Sequence, residues 1–312
     1  MRDALSRWCL FCDAELHSGA RNAPRVRLTD YVDDIVHRSR TGEAFRVYEH
    51  ENRVLRISDA RLVNLPNGNL GLAMVLTLGD RRGANPTFVH FARGSARDPE
   101  RQDGEVKGLS AHCILDTVEH EVHLGRHLMV LEDVPGIGRT PVTRLLCREL
   151  REISTGRDER FRNPESGGMN QLRPVIEIWP QKSREMQEAL ERGTLGTVEL
   201  YDVGAVPAFD ELPEFRVKKR VIRIEVQPSA GGVRGALERL RDIGREQGYG
   251  NMKVSWRMRD GQVTSADVRT DLEDLGTALF ARRELVSVQT PMSDASDRLN
   301  DEFIEALSAH FG

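Results

Sequence analysis

The apolar residues of this chain follow two different spacings in alternation, and this pattern constrains the fold more than any other feature of the sequence. Short runs of alternating or mostly apolar side chains, typical of β-strands, are separated by turn signals such as Pro66-Asn67-Gly68-Asn69. Longer segments between them carry apolar residues three and four positions apart, which is typical of amphipathic helices. Because strands joined by short turns pair antiparallel, the pattern predicts an α/β protein of the α+β type, with largely antiparallel sheets flanked by helices.

The predicted elements extend over both halves of the chain. Strands are predicted at residues 44–48, 54–57, 70–78, 87–91, 127–134, 175–179, 197–203, 215–226 and 252–259. Helices are predicted at residues 2–17, 28–39, 140–153, 183–192, 233–247 and 295–311. A chain of 312 residues exceeds the size at which a single core usually stops growing. We therefore predict a first domain at 1–155, a polar linker at 156–169 and a second domain at 170–312.

The composition indicates a folded protein. If this protein binds nucleic acid, its positive charge must be concentrated at one place on the surface. Hydrophobic residues make up 39% of the chain and charged residues 30%, which is typical of a globular protein. No apolar run approaches the roughly 18 residues that cross a bilayer, and the first residues lack the apolar core of a signal peptide. We expect a cytoplasmic protein without membrane insertion. The net charge of −4 argues against binding nucleic acid through general basicity.

The strongest local signal is the turn Pro135-Gly136-Ile137-Gly138 between a predicted strand and a predicted helix. A Gly-X-Gly turn that opens a helix exposes backbone N–H groups beside the positive end of the helix dipole, which favours anion binding at Gly136 and Gly138. The sequence of this turn resembles the hairpin of helix-hairpin-helix motifs, which hold the DNA backbone without reading sequence. The alternatives are a tight strand-to-helix turn without a ligand and a nucleotide pocket.

Basic residues follow this turn at helical spacing. Arg144, Arg148 and Arg151 lie at positions i, i+4 and i+7 of the predicted helix, so they share its polar edge. With Arg139 they place four guanidinium groups near the turn. This arrangement predicts contacts with phosphate groups, and a solvated arginine face is the alternative.

A second basic stretch lies on the predicted strand at 215–226. Arg216, Lys218 and Arg220 share one face of that strand, and such a ridge can follow a phosphate backbone. An exposed edge strand protected against aggregation by its charges shows the same pattern.

Two clusters would suit a metal-dependent nuclease or hydrolase. On a helix, His120, His123 and His127 would share one face and could hold zinc. Asp103, Glu105 and Lys107 have the acid-x-Lys spacing of metal-dependent nucleases, in which carboxylates hold Mg²⁺. A solvated turn and a charged loop are the alternatives. No complete catalytic fingerprint is present, so we expect a protein that is not an enzyme and has no cofactor.

Cys9 and Cys12 lie on one face of the helix predicted at 2–17. A zinc site with four cysteines would need a second CxxC pair, which is missing from the sequence. We expect both thiols to pack as small apolar groups, with metal binding or a redox role as the alternative.

Three features follow one another in the chain: the step Gly108-Leu109-Ser110 before a strand, the strand-turn-helix unit at 127–153 and the basic strand at 215–226. An early helix at 28–39 precedes them, so the pattern extends from about residue 25 onward. In this order they resemble the Rex exclusion A family of phage lambda and related bacterial anti-phage defence proteins. The resemblance implies a non-enzymatic, sequence-nonspecific DNA-binding protein that acts as a dimer, together with a second protein, in anti-phage defence. It assigns no role to any individual residue.

Taken together, these patterns predict a protein that binds nucleic acid, foremost double-stranded DNA, through its phosphates. The alternatives are a metal-dependent nuclease or hydrolase and a protein-interaction subunit of a defence system with several components.

Overall fold

The computed structural model describes residues 3–120, 124–181, 195–202, 220–225, 232–257, 263–269 and 281–312. The chain has an α+β fold and forms two compact units. The first, called the core unit, comprises Met1–Trp179 and Arg283–Gly312, and the second, called the inserted unit, comprises Pro180–Arg282. These bounds differ from the predicted ones, since residues 156–169 belong to the core unit and residues 283–312 return to it. A polar stretch in the sequence cannot reveal that the chain comes back to an earlier unit.

In chain order the strands are β1 (Ser6–Ser18), β2 (Phe45–Tyr48), β3 (Arg53–Asn64), β4 (Leu70–Asp80), β5 (Phe88–Val89), β6 (Ala96–Arg97), β7 (Lys107–Asp116), β8 (Arg126–Glu132), β9 (Arg160–Arg162), β10 (Met169–Gln171), β11 (Pro174–Pro180), β12 (Leu195–Asp202), β13 (Arg220–Glu225), β14 (Asn251–Arg257), β15 (Val263–Arg269) and β16 (Arg283–Ser287). The α-helices are α1 (Val32–Thr41), α2 (Arg139–Gly156), α3 (Gly232–Glu246) and α4 (Asp301–Ser308). Short 3-10 turns at Leu28–Asp30 and Ala309–Phe311 precede α1 and follow α4. None of the described helices is long and apolar enough to cross a membrane.

The core unit is built on one eight-stranded sheet. Its order is β11-β1-β8-β7-β4-β3-β2, and β16 pairs with the first part of β1. The pairs from β1 through β2 are antiparallel, as the turn signals predict. Helices α1 and α2 cover one face of this sheet, and α4 packs on the other face against β7 and β16. The core unit therefore has three layers.

The helix predicted at 2–17 is wrong, because these residues form strand β1. From Cys9 to Cys12 every side chain is buried. A strand at the centre of a sheet that is covered on both faces shows such a continuous apolar run, which periodicity alone cannot distinguish from a short buried helix.

The helix predicted at 295–311 is shorter than expected. Helix α4 begins at Asp301, where the Asn300 side chain accepts a hydrogen bond from the N–H of Phe303 at 2.9 Å. The residues before it run along the sheet, where the N–H of Ser110 donates to the carbonyl of Asp294 at 3.0 Å. The Asn300 side chain caps the helix, so it marks the true start.

A buried ionic network ties the returning C-terminal segment to the sheet. Arg7 on β1 and Glu132 on β8 form an ion pair with 3.1 Å between Nε and Oε1, and both side chains are buried. Glu132 Oε2 lies 3.0 Å from Nδ1 of His112 on β7. Arg7 also donates to the carbonyl of Met292, and His112 Nε2 accepts from the N–H of Asn300 at 3.3 Å. Three strands and the C-terminal segment therefore meet at one buried carboxylate.

The inserted unit contains a separate four-stranded sheet in the order β13-β12-β14-β15, with antiparallel pairs throughout. Helix α3 packs on β14, and the shared interior contains Val198, Leu200, Leu237, Met252 and Val254. The helix predicted at 233–247 and the strand predicted at 197–203 are confirmed. The helix predicted at 183–192 lies outside the described residues.

Substitution Glu132→Gln should lower the free energy of unfolding by about 3–5 kcal/mol, because it leaves the charge of Arg7 buried without its partner. Urea unfolding followed by circular dichroism measures this loss. The matched control is Asp158→Asn, whose carboxylate forms an exposed pair with Arg160. We expect the control to change stability by less than about 0.5 kcal/mol. Equal losses in the two variants would contradict a special role for the buried pair.

Candidate functional site

The predicted strand-turn-helix unit is confirmed. Its two glycines, Gly136 and Gly138, differ in backbone conformation and in the space around them. Gly136 has a φ of +88°, in the left-handed region that glycine adopts without strain. A Cβ atom at Gly136 would lie 2.7 Å from Cδ2 of Leu78, so both backbone and space require glycine there. Gly138 has an ordinary φ of −84° and precedes the first residue of α2. The turn thus directs α2 away from the end of β8.

Helix α2 begins without a side-chain cap. Gly138 has no side chain that could accept a hydrogen bond from the first turn. The first intrahelical bond runs from the N–H of Val142 to the carbonyl of Gly138, so the N–H groups of Arg139 and Thr140 have no acceptor within the helix. Pro141 has no N–H to satisfy. Two backbone donors therefore remain at the positive end of the α2 dipole.

A cavity of about 340 Å³ lies between the start of α2 and the β2–β3 hairpin. It is lined by Arg46, Tyr48, Glu49, Arg53, Leu55, Gly136, Gly138, Pro141 and Arg144. In the hairpin, Arg46 is paired with Leu55 and Tyr48 with Arg53. Residues that lie directly opposite in an antiparallel pair project from the same face. One face of the hairpin therefore forms one wall of the cavity, and α2 forms the other.

A shallower hollow continues along α2 from this cavity. It is lined by Arg46, Val47, Arg144, Cys147, Arg148, Arg151 and Glu152. Since Arg46 and Arg144 line both spaces, the cavity and the hollow form one continuous feature, here called the arginine groove. Its length follows the exposed edge of α2.

At the cavity end of the groove, four charged side chains balance one another. Arg53 donates from Nε to Asp80 at 2.7 Å and from Nη1 to Glu49 at 2.8 Å. Glu49 also pairs with Arg82. The hydrogen bond from Arg53 holds the pKa of Asp80 below its usual value. Two arginines and two carboxylates therefore form a network without net charge.

Three of the other four arginines of the groove carry uncompensated charge. Among the residues that the structure describes, Arg46, Arg144 and Arg151 have no carboxylate within ion-pair distance, and Arg148 has only Glu152, at 3.9 Å. Arg46 Nη1 donates to the carbonyl of Arg144 at 3.1 Å, which joins the hairpin to the helix. The groove is thus strongly positive in a chain whose net charge is −4.

The ring of Phe45 on β2 contacts two arginines, Arg56 and Arg148. The guanidinium carbon of Arg56 lies 5.3 Å from the ring centroid, and that of Arg148 lies 5.4 Å from it. Such cation–π contacts hold long side chains in place without neutralising their charge. Arg148 is therefore oriented beside the groove.

The structure brings most of the predicted phosphate-contact residues of the core unit together. Gly136, Gly138 and Arg144 line the cavity, and Arg144, Arg148 and Arg151 line the hollow. Arg139 lies apart from them, because its Nη1 donates to the carbonyl of Ile178 on β11 at 3.3 Å.

Three lining residues were missed by the sequence patterns. Arg46, Tyr48 and Arg53 belong to a strand and a hairpin that were predicted, but no motif marks them as part of a site. Only the register of β2 against β3 places them opposite α2. Two separate arginines and one tyrosine in a hairpin offered no signal on their own.

The second predicted ridge lies in the inserted unit. Arg220 begins β13, where it is paired with Asp202 of β12. Arg216 and Lys218 lie outside the described residues.

Of the three histidines considered as a metal site, the structure describes His120 and His127, which do not share a helix face. His127 lies on strand β8 rather than on a helix, and its buried Nδ1 is 3.0 Å from the carbonyl of Asp116. Burial lowers the pKa of His127, so the ring stays neutral at pH 7. His120 is exposed, and His123 lies outside the described residues. The described part of the chain contains no group of three or more metal-ligating side chains.

The acid-x-Lys spacing falls on an exposed turn. Glu105 accepts a hydrogen bond from the N–H of Gln102 at 2.8 Å, and Asp103 lies within the same turn. Lys107 is the first residue of β7. All three side chains are exposed, so they do not line a cleft.

Cys9 and Cys12 point to opposite faces of β1 rather than to one helical face, and both are buried. Burial raises the pKa of both thiols, that of Cys12 to about 12. Protonated, buried thiols behave as the small apolar groups that we expected.

The chain matches no protein-family model and no curated protein sequence. The chemistry of the groove therefore carries the functional argument.

Substitution Gly136→Ala should lower the free energy of unfolding by about 1–3 kcal/mol, because alanine disfavours a positive φ and its Cβ would collide with Leu78. Gly138→Ala is the matched control, since its φ is negative and, beyond its chain neighbours, no described residue comes within 4 Å of the added carbon. We expect the control to lose less than about 1 kcal/mol. Chemical denaturation measures both. Equal tolerance of the two substitutions would show that the turn is not constrained as described.

Proposed function

We propose that the arginine groove binds the phosphate backbone of nucleic acid without reading sequence, and that the protein is not an enzyme. The observation that carries the proposal is the row of arginines along one groove, of which only Arg148 has a carboxylate partner among the described residues, Glu152 at 3.9 Å: Arg46, Arg144, Arg148 and Arg151. Guanidinium groups form charge-assisted, bidentate hydrogen bonds with phosphate oxygens.

The spacing along α2 suits a repeating anion. Arg144 and Arg151 are separated by about 10 Å of helix axis, at a rise of about 1.5 Å per residue. A strand of duplex DNA presents a phosphate about every 3.4 Å of its own axis, so about three phosphates fall within this length. Three arginines on one helix edge therefore match a short stretch of backbone.

The chemistry of the shallow hollow favours a duplex over a single strand. Proteins that hold single strands without sequence preference stack bases on exposed aromatic rings. The residues that line the hollow include no aromatic side chain, and Phe45 beside it is already in contact with Arg56 and Arg148. We therefore propose double-stranded DNA as the preferred ligand.

The wider setting of this activity is also a proposal. The order of elements that resembles the Rex exclusion A family supports a cytoplasmic role in anti-phage defence, as a homodimer with a second defence protein. Arg216, Lys218 and Arg220 would add a second phosphate contact from the inserted unit.

Substitutions Arg144→Ala and Arg151→Ala should each weaken binding to duplex DNA by about 10-fold at low salt, because each removes a charged hydrogen-bond donor that faces a phosphate. The loss should be the same for duplexes of unrelated sequence, since phosphate contacts carry no base information. Fluorescence anisotropy with two labelled 20-base-pair duplexes measures both effects.

The matched control is Arg160→Ala, which removes an exposed arginine outside the groove. We expect its affinity to stay within about 2-fold of the wild type, since nonspecific binding depends on charges that touch phosphates. A loss confined to one of the two sequences would contradict nonspecific binding. Undiminished affinity of both groove variants would contradict the groove as the site.

A further inference from the structure

The loop between β4 and β7 carries a small hairpin whose apolar side chains the described part of the protein leaves exposed. Residues 84–97, called the apolar hairpin, contain strands β5 and β6, in which Phe88 is paired with Arg97 and Val89 with Ala96. We propose that the tip of this hairpin inserts between base pairs from the minor groove of the duplex held by the arginine groove, and thereby bends the duplex. This inference goes beyond the proposed function and rests on it for the identity of the ligand.

Three large apolar side chains of the apolar hairpin are exposed. The exposed fraction is 57% for Phe88 and 64% for Val89, and Phe91 in the turn is fully exposed. Phe88 and Val89 are neighbours on one strand, so they project from opposite faces. A flat partner surface would cover only one face. A cleft that encloses the hairpin covers both faces and the tip, and the groove of a duplex is such a cleft.

Hydrogen bonds within the turn define how Phe91 is presented. The N–H of His90 donates to the carbonyl of Ser95, and the N–H of Gly94 donates to the carbonyl of His90, both at 2.8 Å. The N–H of Arg93 donates to Nδ1 of His90 at 3.2 Å. Gly94 has a φ of +67°, which glycine adopts without strain. The turn is therefore closed by its own bonds, and the exposed ring of Phe91 projects from it.

The charge of the hairpin fits a polyanion. The segment from Arg81 to Arg97 contains four arginines and no acidic residue, and the acidic residues of the loop begin only with Asp98. Among the residues that the structure describes, Arg93 and Arg97 have no carboxylate within ion-pair distance. The guanidinium carbon of Arg97 lies 5.6 Å from the centroid of the Phe88 ring, a contact that does not neutralise its charge. Arginines beside apolar wedges are the combination with which proteins enter the minor groove and part stacked bases.

The hairpin leaves the sheet at the end where the arginine groove has its cavity. Asp80, the last residue of β4, is paired with Arg53 of β3 on one side and with Lys107, the first residue of β7, on the other. Arg53 lines the cavity. Arg101 Nη2 donates to the carbonyl of Gly83 at 2.6 Å, which joins the two sides of the loop at its base. One duplex can therefore contact both the groove and the hairpin.

Resonance energy transfer between dyes at the two ends of a duplex of about 30 base pairs measures bending directly. A saturating amount of the full wild-type chain should raise the transfer efficiency, because an inserted apolar side chain kinks a duplex by roughly 20–90°. Phe91→Ala should abolish this increase, and Phe91→Leu should retain it, since leucine also acts as a wedge. The matched control is Leu124→Ala, which removes another exposed apolar side chain from the turn before β8 and should leave the bend unchanged.

A second readout uses the cost of parting stacked base pairs, which is lower at a mismatch. By fluorescence anisotropy, the wild type should bind a duplex with one central mismatch about 10-fold more tightly than the matched duplex. Phe91→Ala should bind the two duplexes equally. Arg144→Ala, which alters only the groove, should weaken both alike and keep the preference.

Thermal unfolding distinguishes a lost insertion from a folding defect. Because the Phe91 ring is fully exposed, Phe91→Ala should unfold at the same temperature as the wild type. The single strand of the same sequence and vesicles of phosphatidylserine and phosphatidylcholine are tested as other ligands of the hairpin.

The outcomes separate this inference from the proposed function. Duplex binding without bending and without a preference for the mismatch overturns the insertion and leaves the groove as a backbone-binding surface. Bending that Phe91→Ala abolishes, together with undiminished affinity of Arg144→Ala, overturns the groove and retains the hairpin. Tighter binding of the single strand, lost in Phe91→Ala, overturns the insertion and assigns the rings to stacking on unpaired bases. Absence of nucleic-acid binding overturns both, and vesicle binding that Phe91→Ala abolishes then assigns the hairpin to an anionic lipid surface.

Discussion

The carboxylate of Glu132 is the point on which the core unit depends, because it joins three strands and the C-terminal segment through Arg7 and His112. A buried charge of this kind is tolerated only when its partners are complete. Residues 283–312 add two contacts to this network, since Arg7 donates to the Met292 carbonyl and His112 accepts from the N–H of Asn300. Glu132 is also the last residue of β8, directly before the turn that leads into α2. The buried network and the start of the groove are therefore neighbours along the chain.

The groove depends on two segments that are distant in sequence. The hydrogen bond from Arg46 to the Arg144 carbonyl and the contact of Arg148 with Phe45 join the β2–β3 hairpin to α2. Because these contacts use a backbone carbonyl and an aromatic face as partners, they leave the charges of Arg46 and Arg148 largely unneutralised. A chain with a net negative charge can therefore present a positive surface at one place. Such a surface would attract a polyanion electrostatically.

The sequence predicts the local features of this fold and site better than those that depend on contacts between distant parts of the chain. The spacing of Arg144, Arg148 and Arg151 is a local property of a helix, so the pattern predicts that they share one helix edge, and all three line the hollow. Tyr48 and Arg53 join the site only through strand register, which a single sequence does not specify. Strand β1 was mistaken for a helix because both of its faces are buried. The discontinuous core unit could not be foreseen, since no local pattern reports the return of the C-terminal segment.

The measurement that tests the central claim most directly is the salt dependence of duplex binding by the wild-type protein. Four arginines that each contact a phosphate should give a plot of log affinity against log salt concentration with a slope of about −3 to −4, at about −0.9 per phosphate. The slope should be the same for unrelated duplex sequences. Binding that changes little between low and physiological salt would contradict the account, because it would show that the arginine groove does not hold the phosphate backbone.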